Sequence, residues 1–328
     1  MSKTPLECLG MLFLILGLPA CSMGATPSPP TTPVTVQLSF LHQAEFAGFY
    51  AAEQQGYYAE EGLQVSFLEG GPDLDFIAPV VNGAAQFGVA QPADLILARG
   101  AGKPVRSIAV IYRRSPIVFF ALSESGITRP QDFIGKQIRS TTTIDQTLRA
   151  MMSRLDIEPH QYEIVHLPSN VTQFASGEVP VWGGFLNLFV QEVQHAGHQI
   201  NLIHPDDYGI HFYGNILITT DDLIEQDPDL VQRFTRATLR GWTYVVENPE
   251  SAGGFVQNYN PHVDPQLENA KMIASIPLVN TGEDFIGWMK PEVWADMERT
   301  LREQGLLTGS LNLNEVYTKE FLMEIYGR

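Results

Sequence analysis

From Val34 to Thr220 the chain alternates short strand-like stretches with stretches of helical period, and no other feature narrows its fold as much. "VTVQLSFL" (34–41) alternates apolar and polar residues, as a strand with one buried face does. "EFAGFYAAEQQGYYAEEG" (45–62) then places Phe46, Phe49, Tyr50 and Glu53 at helical spacing, with Gly56 permitting a turn. The exchange recurs, with strands predicted at 63–70, 86–91, 105–112 and 116–125 and helices at 74–81 and 92–102. Such an order predicts an α/β fold: a mostly parallel sheet with helices on both faces. A second unit of the same kind begins near Gly126, with a helix at 141–157, strands at 162–167, 179–184 and 199–205, and a helix at 185–197. Strands 116–122 and 215–219 bracket it. The chain therefore reads as one lobe inserted into another, joined by two crossing strands that act as a hinge over a ligand cleft. The expected boundaries are 34–121 plus 220–328 for lobe 1 and 122–219 for lobe 2.

The start of the chain has a different character. Its two cysteines, Cys8 and Cys21, both lie in the first 21 residues, and "LGMLFLILGLPAC" (9–21) has the length of a signal-peptide core rather than a membrane span. "LPAC" (18–21) resembles the bacterial lipobox, with Pro19 where a small residue usually stands. That resemblance implies a signal peptide over 1–21 and an acylated Cys21; ordinary secretory cleavage near Ala25 is the alternative. Either way the mature chain leaves the cytoplasm without a disulfide, since no cysteine follows position 21. "SMGATPSPPTTP" makes 22–33 a solvated tether. A formal net charge of −17 excludes nucleic acid as a partner. The membrane is expected to be met through the lipid anchor only, on the extracytoplasmic face, and the protein to be a monomer.

Three segments carry a family resemblance. "AGFYAAEQQGYYAEEGLQV" (47–65) is similar to the pattern A-G-x-Y-x-A-x-x-x-G-Y-F-x-x-E-G-L of bacterial periplasmic substrate-binding proteins related to the fungal thiamine-pyrimidine synthase. "NGAAQFGVAQPADLILARGAGKPVRSIAVIYRRSP" (82–116) and "LSESGITRPQDFIGKQIRS" (122–140) resemble their next two signatures, in the same order. The resemblance covers roughly residues 34–245. It implies a two-lobe periplasmic-binding-protein (Venus-flytrap, type II) fold that delivers its ligand to the permease and ATPase subunits of an ABC importer. It implies no enzyme and no cofactor, because the enzyme branch uses a cysteine-rich iron site and the mature chain here has no thiolate to offer. The ligand class it implies is a small heteroaromatic vitamin. Pyrimidine-precursor binders of the family carry D-W-x-P-N-x-x-H after the first strand; here "SFLHQAEF" (39–46) replaces Trp with Phe40 and Pro-Asn with His42 and Gln43. That departure favours riboflavin over hydroxymethylpyrimidine or formylaminopyrimidine.

Candidate ligand contacts lie where strands end and helices begin. Phe40, His42, Gln43, Glu45 and Phe46 follow the first strand, with rings to stack on a flat ligand and amides to meet its edge. Gln91 and Asp94 follow the third strand, and Tyr112 and Ser115 the fourth, where Arg113 and Arg114 read as solvated. Thr141, Thr142 and Thr143 open a helix with hydroxyls and free N–H groups, one of the three being expected to cap it. Trp182 beside Gly183 and Gly184 reads as a flat wall for the ligand, with Asn187 near it. Tyr208, His211 and Tyr213 precede the second crossing strand. No metal site and no catalytic residue are predicted.

Overall fold

The computed structural model describes residues 1, 31–71 and 74–328. The expected signal peptide (2–21), Cys21 and residues 22–30 of the tether lie outside the described residues. The alternation read from the sequence becomes ten strands: β1 (Thr32–Gln37), β2 (Leu63–Leu68), β3 (Phe87–Ala90), β4 (Val105–Val110), β5 (Ile117–Leu122), β6 (Gln137–Ser140), β7 (Glu163–His166), β8 (Val181–Phe185), β9 (Ile200–Ile203) and β10 (Ile216–Thr220). They form two five-stranded sheets, ordered β2-β1-β3-β10-β4 and β7-β6-β8-β5-β9. In the first sheet β1 pairs parallel with β2 and β3, while β10 runs antiparallel between β3 and β4. In the second, β6 pairs parallel with β7 and β8, while β5 runs antiparallel between β8 and β9. Each sheet thus carries one reversed strand, and each reversed strand lies just past a crossing between lobes.

This corrects the expected boundaries. Strand β5, assigned to lobe 1 by the range 34–121, belongs to the second sheet, and β10, assigned to lobe 2 by 122–219, belongs to the first. The crossings are the irregular segments 111–116 and 209–215 rather than the strands themselves. The tether is also shorter than expected, since Thr32 and Pro33 already pair with Leu63 and Gln64 in β1. Pro33 is tolerated because β3 pairs only with Val36 and Gln37, which leaves the other edge of β1 open at Pro33.

Helices cover the sheets: α1 (Ala47–Gln54), α2 (Tyr57–Glu60), α3 (Ala78–Val81) and α4 (Pro92–Gly100) in the first lobe, and α5 (Thr142–Arg154), α6 (Val171–Ala175) and α7 (Phe189–His195) in the second. After β10 come α8 (Asp221–Gln226), α9 (Pro228–Glu247), α10 (Ala252–Gln257), α11 (Pro265–Val279), α12 (Pro291–Glu303) and α13 (Glu320–Tyr326). The helix expected over 74–81 shortens to α3 because the Asp75 carboxylate accepts from the amides of Ile77 and Ala78, forming a turn before the helix. In the first lobe α9 lies directly against α1. A Cβ on Gly48 would meet the Trp242 ring at 2.2 Å, and one on Gly241 would meet the Gly48 carbonyl at 2.1 Å. In the second lobe the alternation of β5 sends Phe119 to one core with Phe133, Ile144 and Leu148, and Phe120 to the other with Phe174, Trp182 and Phe189. Both lobes belong to one compact unit, Thr31–Arg328.

Candidate functional site

Where strand ends and helix starts of the two lobes meet, a buried polar network forms, the floor of the candidate cleft. Glu45, only 5% exposed, sits in the turn after β1. Its Oε2 accepts from Gln43 Nε2 at 2.9 Å and its Oε1 from Asn215 Nδ2 at 2.7 Å. Gln91, at the end of β3, donates to Asn215 Oδ1 at 2.7 Å. The Tyr112 hydroxyl donates to the Glu45 carbonyl at 3.3 Å. Burial raises the Glu45 carboxyl above its usual range, against the pull of the two amide donors and of Lys271. Burial likewise raises the Tyr112 phenol. Gln43, Glu45, Gln91 and Tyr112 were legible in the sequence; Asn215, which joins two of them, was not. It immediately precedes β10, and its partners lie 124 and 170 residues away.

The second lobe reaches this floor through Asn187. Its Nδ2 donates to the Tyr112 hydroxyl at 3.0 Å and to Ser275 Oγ on α11 at 2.9 Å. Its Oδ1 is buried without a hydrogen-bond partner among the described residues, so the carboxamide retains an acceptor for a ligand group or a water. Ser275 donates onward to the Lys271 carbonyl. Lys271, buried on α11, pairs with Glu268 at 2.9 Å and with Glu192 of α7 at 3.3 Å. The other Glu268 oxygen accepts from the Ala44 amide. Farther along the same contact His195 of α7 lies 3.7 Å from Asp264. Lys271, Ser275 and Glu192 had no signal in the sequence, because the contacts that join them to the opposite lobe, Lys271 to Glu192 and Asn187 to Ser275, link distant segments.

Beside Gln91 of this network lies a cavity of about 30 Å3, bounded also by Asp94 of the first lobe, Thr143 and Gln146 of the second, and Phe212 and Tyr213 of the crossing segment. Burial, and then the charge of Asp75, push the Asp94 carboxyl up to about 6. Thr141 precedes α5 and Thr142 and Thr143 open it with exposed side chains, but the expected side-chain cap is not formed: only the Thr141 carbonyl accepts, from the amides of Ile144 and Asp145. A volume of this size holds a water rather than a vitamin. In this conformation Asn187 and Glu192 bridge the lobes, and the cavity does not hold a ring-sized ligand.

Aromatic residues flank the floor. His42 stacks on Tyr259 at 5.3 Å, and its Nδ1 lies 2.7 Å from the Tyr50 hydroxyl. Burial lowers the His42 imidazole, with Glu69 opposing. Tyr50 in turn stacks on Tyr259 at 4.3 Å. Phe40 is half-buried against the first core.

Several expected contacts lie elsewhere. Trp182 is fully buried in the second lobe, its Nε1 donating to the Val179 carbonyl and its ring packed on Phe174 and Phe189. The glycines beside it serve core packing, since a Cβ on Gly183 would meet Ile144 at 2.7 Å and one on Gly184 would meet Phe120 at 3.0 Å. Phe46 is fully buried in the first core. Tyr208 precedes Gly209, whose carbonyl accepts from Arg154 at the far end of α5, away from Thr143. His211 is exposed, with Nδ1 at 2.7 Å from Asp206. Ser115 accepts from the Ile117 amide and shapes the crossing. Arg113, expected in solvent, is buried and held by Asp284 and Thr281. Tyr213 borders the cavity, while its hydroxyl accepts from the Lys290 amide at 2.7 Å.

A family model described as NMT1/THI5 like matches residues 43–252. Among curated proteins the chain is similar to the riboflavin-binding protein RibY of Chloroflexus aurantiacus, 27% identical over 98% of this chain and 99% of that one. It is 26% identical to a 4-amino-5-hydroxymethyl-2-methylpyrimidine phosphate synthase of Legionella pneumophila, over 88% of this chain and 92% of that one. It is 30% identical to a formylaminopyrimidine-binding protein of Halalkalibacterium halodurans, over 75% and 76%. Among solved structures it resembles the periplasmic aliphatic sulphonate binding protein SsuA of Escherichia coli, with a TM-score of 0.71 over 90% of this chain and 93% of that one, at 13% identity. The two-lobe fold is therefore that of the periplasmic binding proteins.

Proposed function

The chain belongs to the NMT1/THI5-like family, and from that premise we propose that it is the substrate-binding component of an ABC importer that captures riboflavin outside the cytoplasm. The observation that carries this reading is similarity to a riboflavin-binding protein along nearly the whole length of both chains. The cleft is suited to the task. Its floor presents amide and carboxylate groups at fixed positions, as the donor and acceptor edge of an isoalloxazine ring requires, and Phe40, His42 and Tyr259 supply rings beside it. Parting of the lobes breaks the Asn187 and Glu192 bridges and admits the ring; reclosure buries it. The permease then reads the closed form. Cys21 anchors the protein by its lipid to the outer face of the cell membrane, with 22–31 as tether.

A second reading, capture of a thiamine pyrimidine precursor, is favoured by the 30% identity to the formylaminopyrimidine-binding protein. One titration separates the two. Protein stripped of bound small molecules is titrated with riboflavin, following flavin fluorescence, and with hydroxymethylpyrimidine and formylaminopyrimidine by calorimetry. Stoichiometric quenching of riboflavin supports the first reading. Heat from a pyrimidine and none from riboflavin overturns it. Turnover of any of these compounds would instead make the protein an enzyme. Incorporation of labelled palmitate that is lost in Cys21→Ser tests the anchor.

A further inference from the structure

The charge of the cleft bears on which form of a vitamin it accepts. Two helices begin at the cavity, α4 from the first lobe and α5 from the second. Helix starts ordinarily attract phosphate. Here each already carries a carboxylate in its first turn, Asp94 on α4 and Asp145 on α5. Asp94 borders the cavity and makes no hydrogen bond or ion pair among the described residues. Asp145 holds His166 with one oxygen and keeps the other buried and unpartnered. No lysine or arginine borders the cavity among the described residues. Cations elsewhere in the fold are committed: Lys103 to Asp75, Lys271 to Glu268 and Glu192, Arg113 to Asp284, and Arg139 to the carbonyls of Leu167 and Gly183 and the hydroxyl of Ser169.

We infer that the cleft selects uncharged, hydroxyl-bearing ligands and rejects their phosphate esters, with Asp94 as the discriminating residue. The inference rests on the cleft being the ligand site proposed above. An unpartnered carboxylate offers acceptors to a hydroxyl or amine, whereas a phosphate monoester brings nearly two further negative charges to a corner that has no cation to meet them. In the flavin reading, Asp94 and Thr143 take the hydroxyls of the ribityl chain while the ring lies toward Glu45 and Asn187.

The test uses stripped protein and its Asp94→Asn variant with two ligand pairs: riboflavin and flavin mononucleotide, and hydroxymethylpyrimidine and its phosphate. Dissociation constants are measured for all four. In the wild type the neutral member of whichever pair binds is expected to be about 100-fold tighter than its phosphate, and in Asp94→Asn that gap is expected to narrow about tenfold. Lumichrome, the flavin ring without its ribityl chain, is expected to bind both proteins alike. Equal affinity for a ligand and its phosphate overturns the inference, and so does an Asp94→Asn change that weakens both members equally. Binding of the pyrimidine pair alone, with the gap intact, removes the flavin reading and leaves the charge filter standing. Failure of all four to bind removes both.

Discussion

The two faces of the cleft are built on different plans. The first lobe presents a network in which Gln43, Glu45, Gln91, Asn215 and Tyr112 hold one another through buried hydrogen bonds. The second presents exposed hydroxyls at the start of α5 and reaches the first through Asn187 and Glu192. A buried network of this kind is fixed before a ligand arrives, because releasing any member strands its partners. Exposed threonines adapt at little cost. The asymmetry teaches an order of events: a ligand docks first on the rigid face and is then covered by the adaptable one.

The sharpest way to break this comparison is Asn215→Ala. It removes the partner of Glu45 Oε1 and of Gln91 Nε2, while Gln43 still holds Glu45 Oε2. We expect it to cost about 2–3 kcal/mol in thermal unfolding and to lower riboflavin affinity at least about 30-fold, whereas Thr143→Ala, which removes one exposed hydroxyl, leaves stability unchanged and lowers affinity by less than about fivefold. Equal effects of the two substitutions would erase the distinction between the faces. Next in size is Trp182→Phe, which removes a core contact and the bond to Val179. It should cost about 1–3 kcal/mol of stability and leave the dissociation constant within about twofold; a loss of affinity at unchanged stability would return that ring to the cleft.

Asp94 gives a smaller effect with a defined sign. Its value in the folded chain, about 6, stands above the usual 3.8. Between those values the folded state holds the proton more tightly than the unfolded state does, so this contribution to stability is present at pH 4 and lost as pH rises through 6. Asp94→Asn should therefore raise the Tm at pH 7.5, by on the order of 1–2 kcal/mol of stability, and little at pH 4. A constant difference across that range would show that Asp94 does not titrate there. The smallest effect belongs to Glu192→Gln. It loosens a bridge between the lobes whose carboxylate is partly exposed, and should speed ligand dissociation by less than about fivefold at unchanged Tm. A large loss of stability would make α7 part of the first lobe's core rather than a removable contact.

Much of the fold was legible in the residues, and the reason is local. Alternation in "VTVQ", the unbroken apolar run of "IVFF", Pro92 at a helix start and Gly56 at a left-handed turn are decided within a few positions. Which sheet a strand joins is not decided locally. That is why β5 and β10 were given to the wrong lobes: an antiparallel crossing strand has the same period as its parallel neighbours. The site divides along the same line. Gln43, Glu45, Gln91, Asp94 and Tyr112 stand at strand ends and helix starts, where the topology itself places a cleft. Asn215, Lys271 and Ser275 take their roles from partners in distant segments, and no window of sequence contains both ends of the bond. Trp182 misled because glycines beside a large ring make room equally well for Ile144 and Phe120 as for a ligand.

The place of β10 in the first sheet has a consequence for how the protein is made. β3 and β4 follow one another in the chain but do not pair; β10 lies between them, about 105 residues downstream of β4. Every strand of the second sheet, by contrast, lies in the unbroken stretch 117–203. A polypeptide emerging from a ribosome or a translocation pore therefore completes the inserted lobe while the surrounding one still has a gap in its middle. The nascent first lobe must wait with two open strand edges until residue 220 has emerged, and α9 must then dock on α1 to seal it.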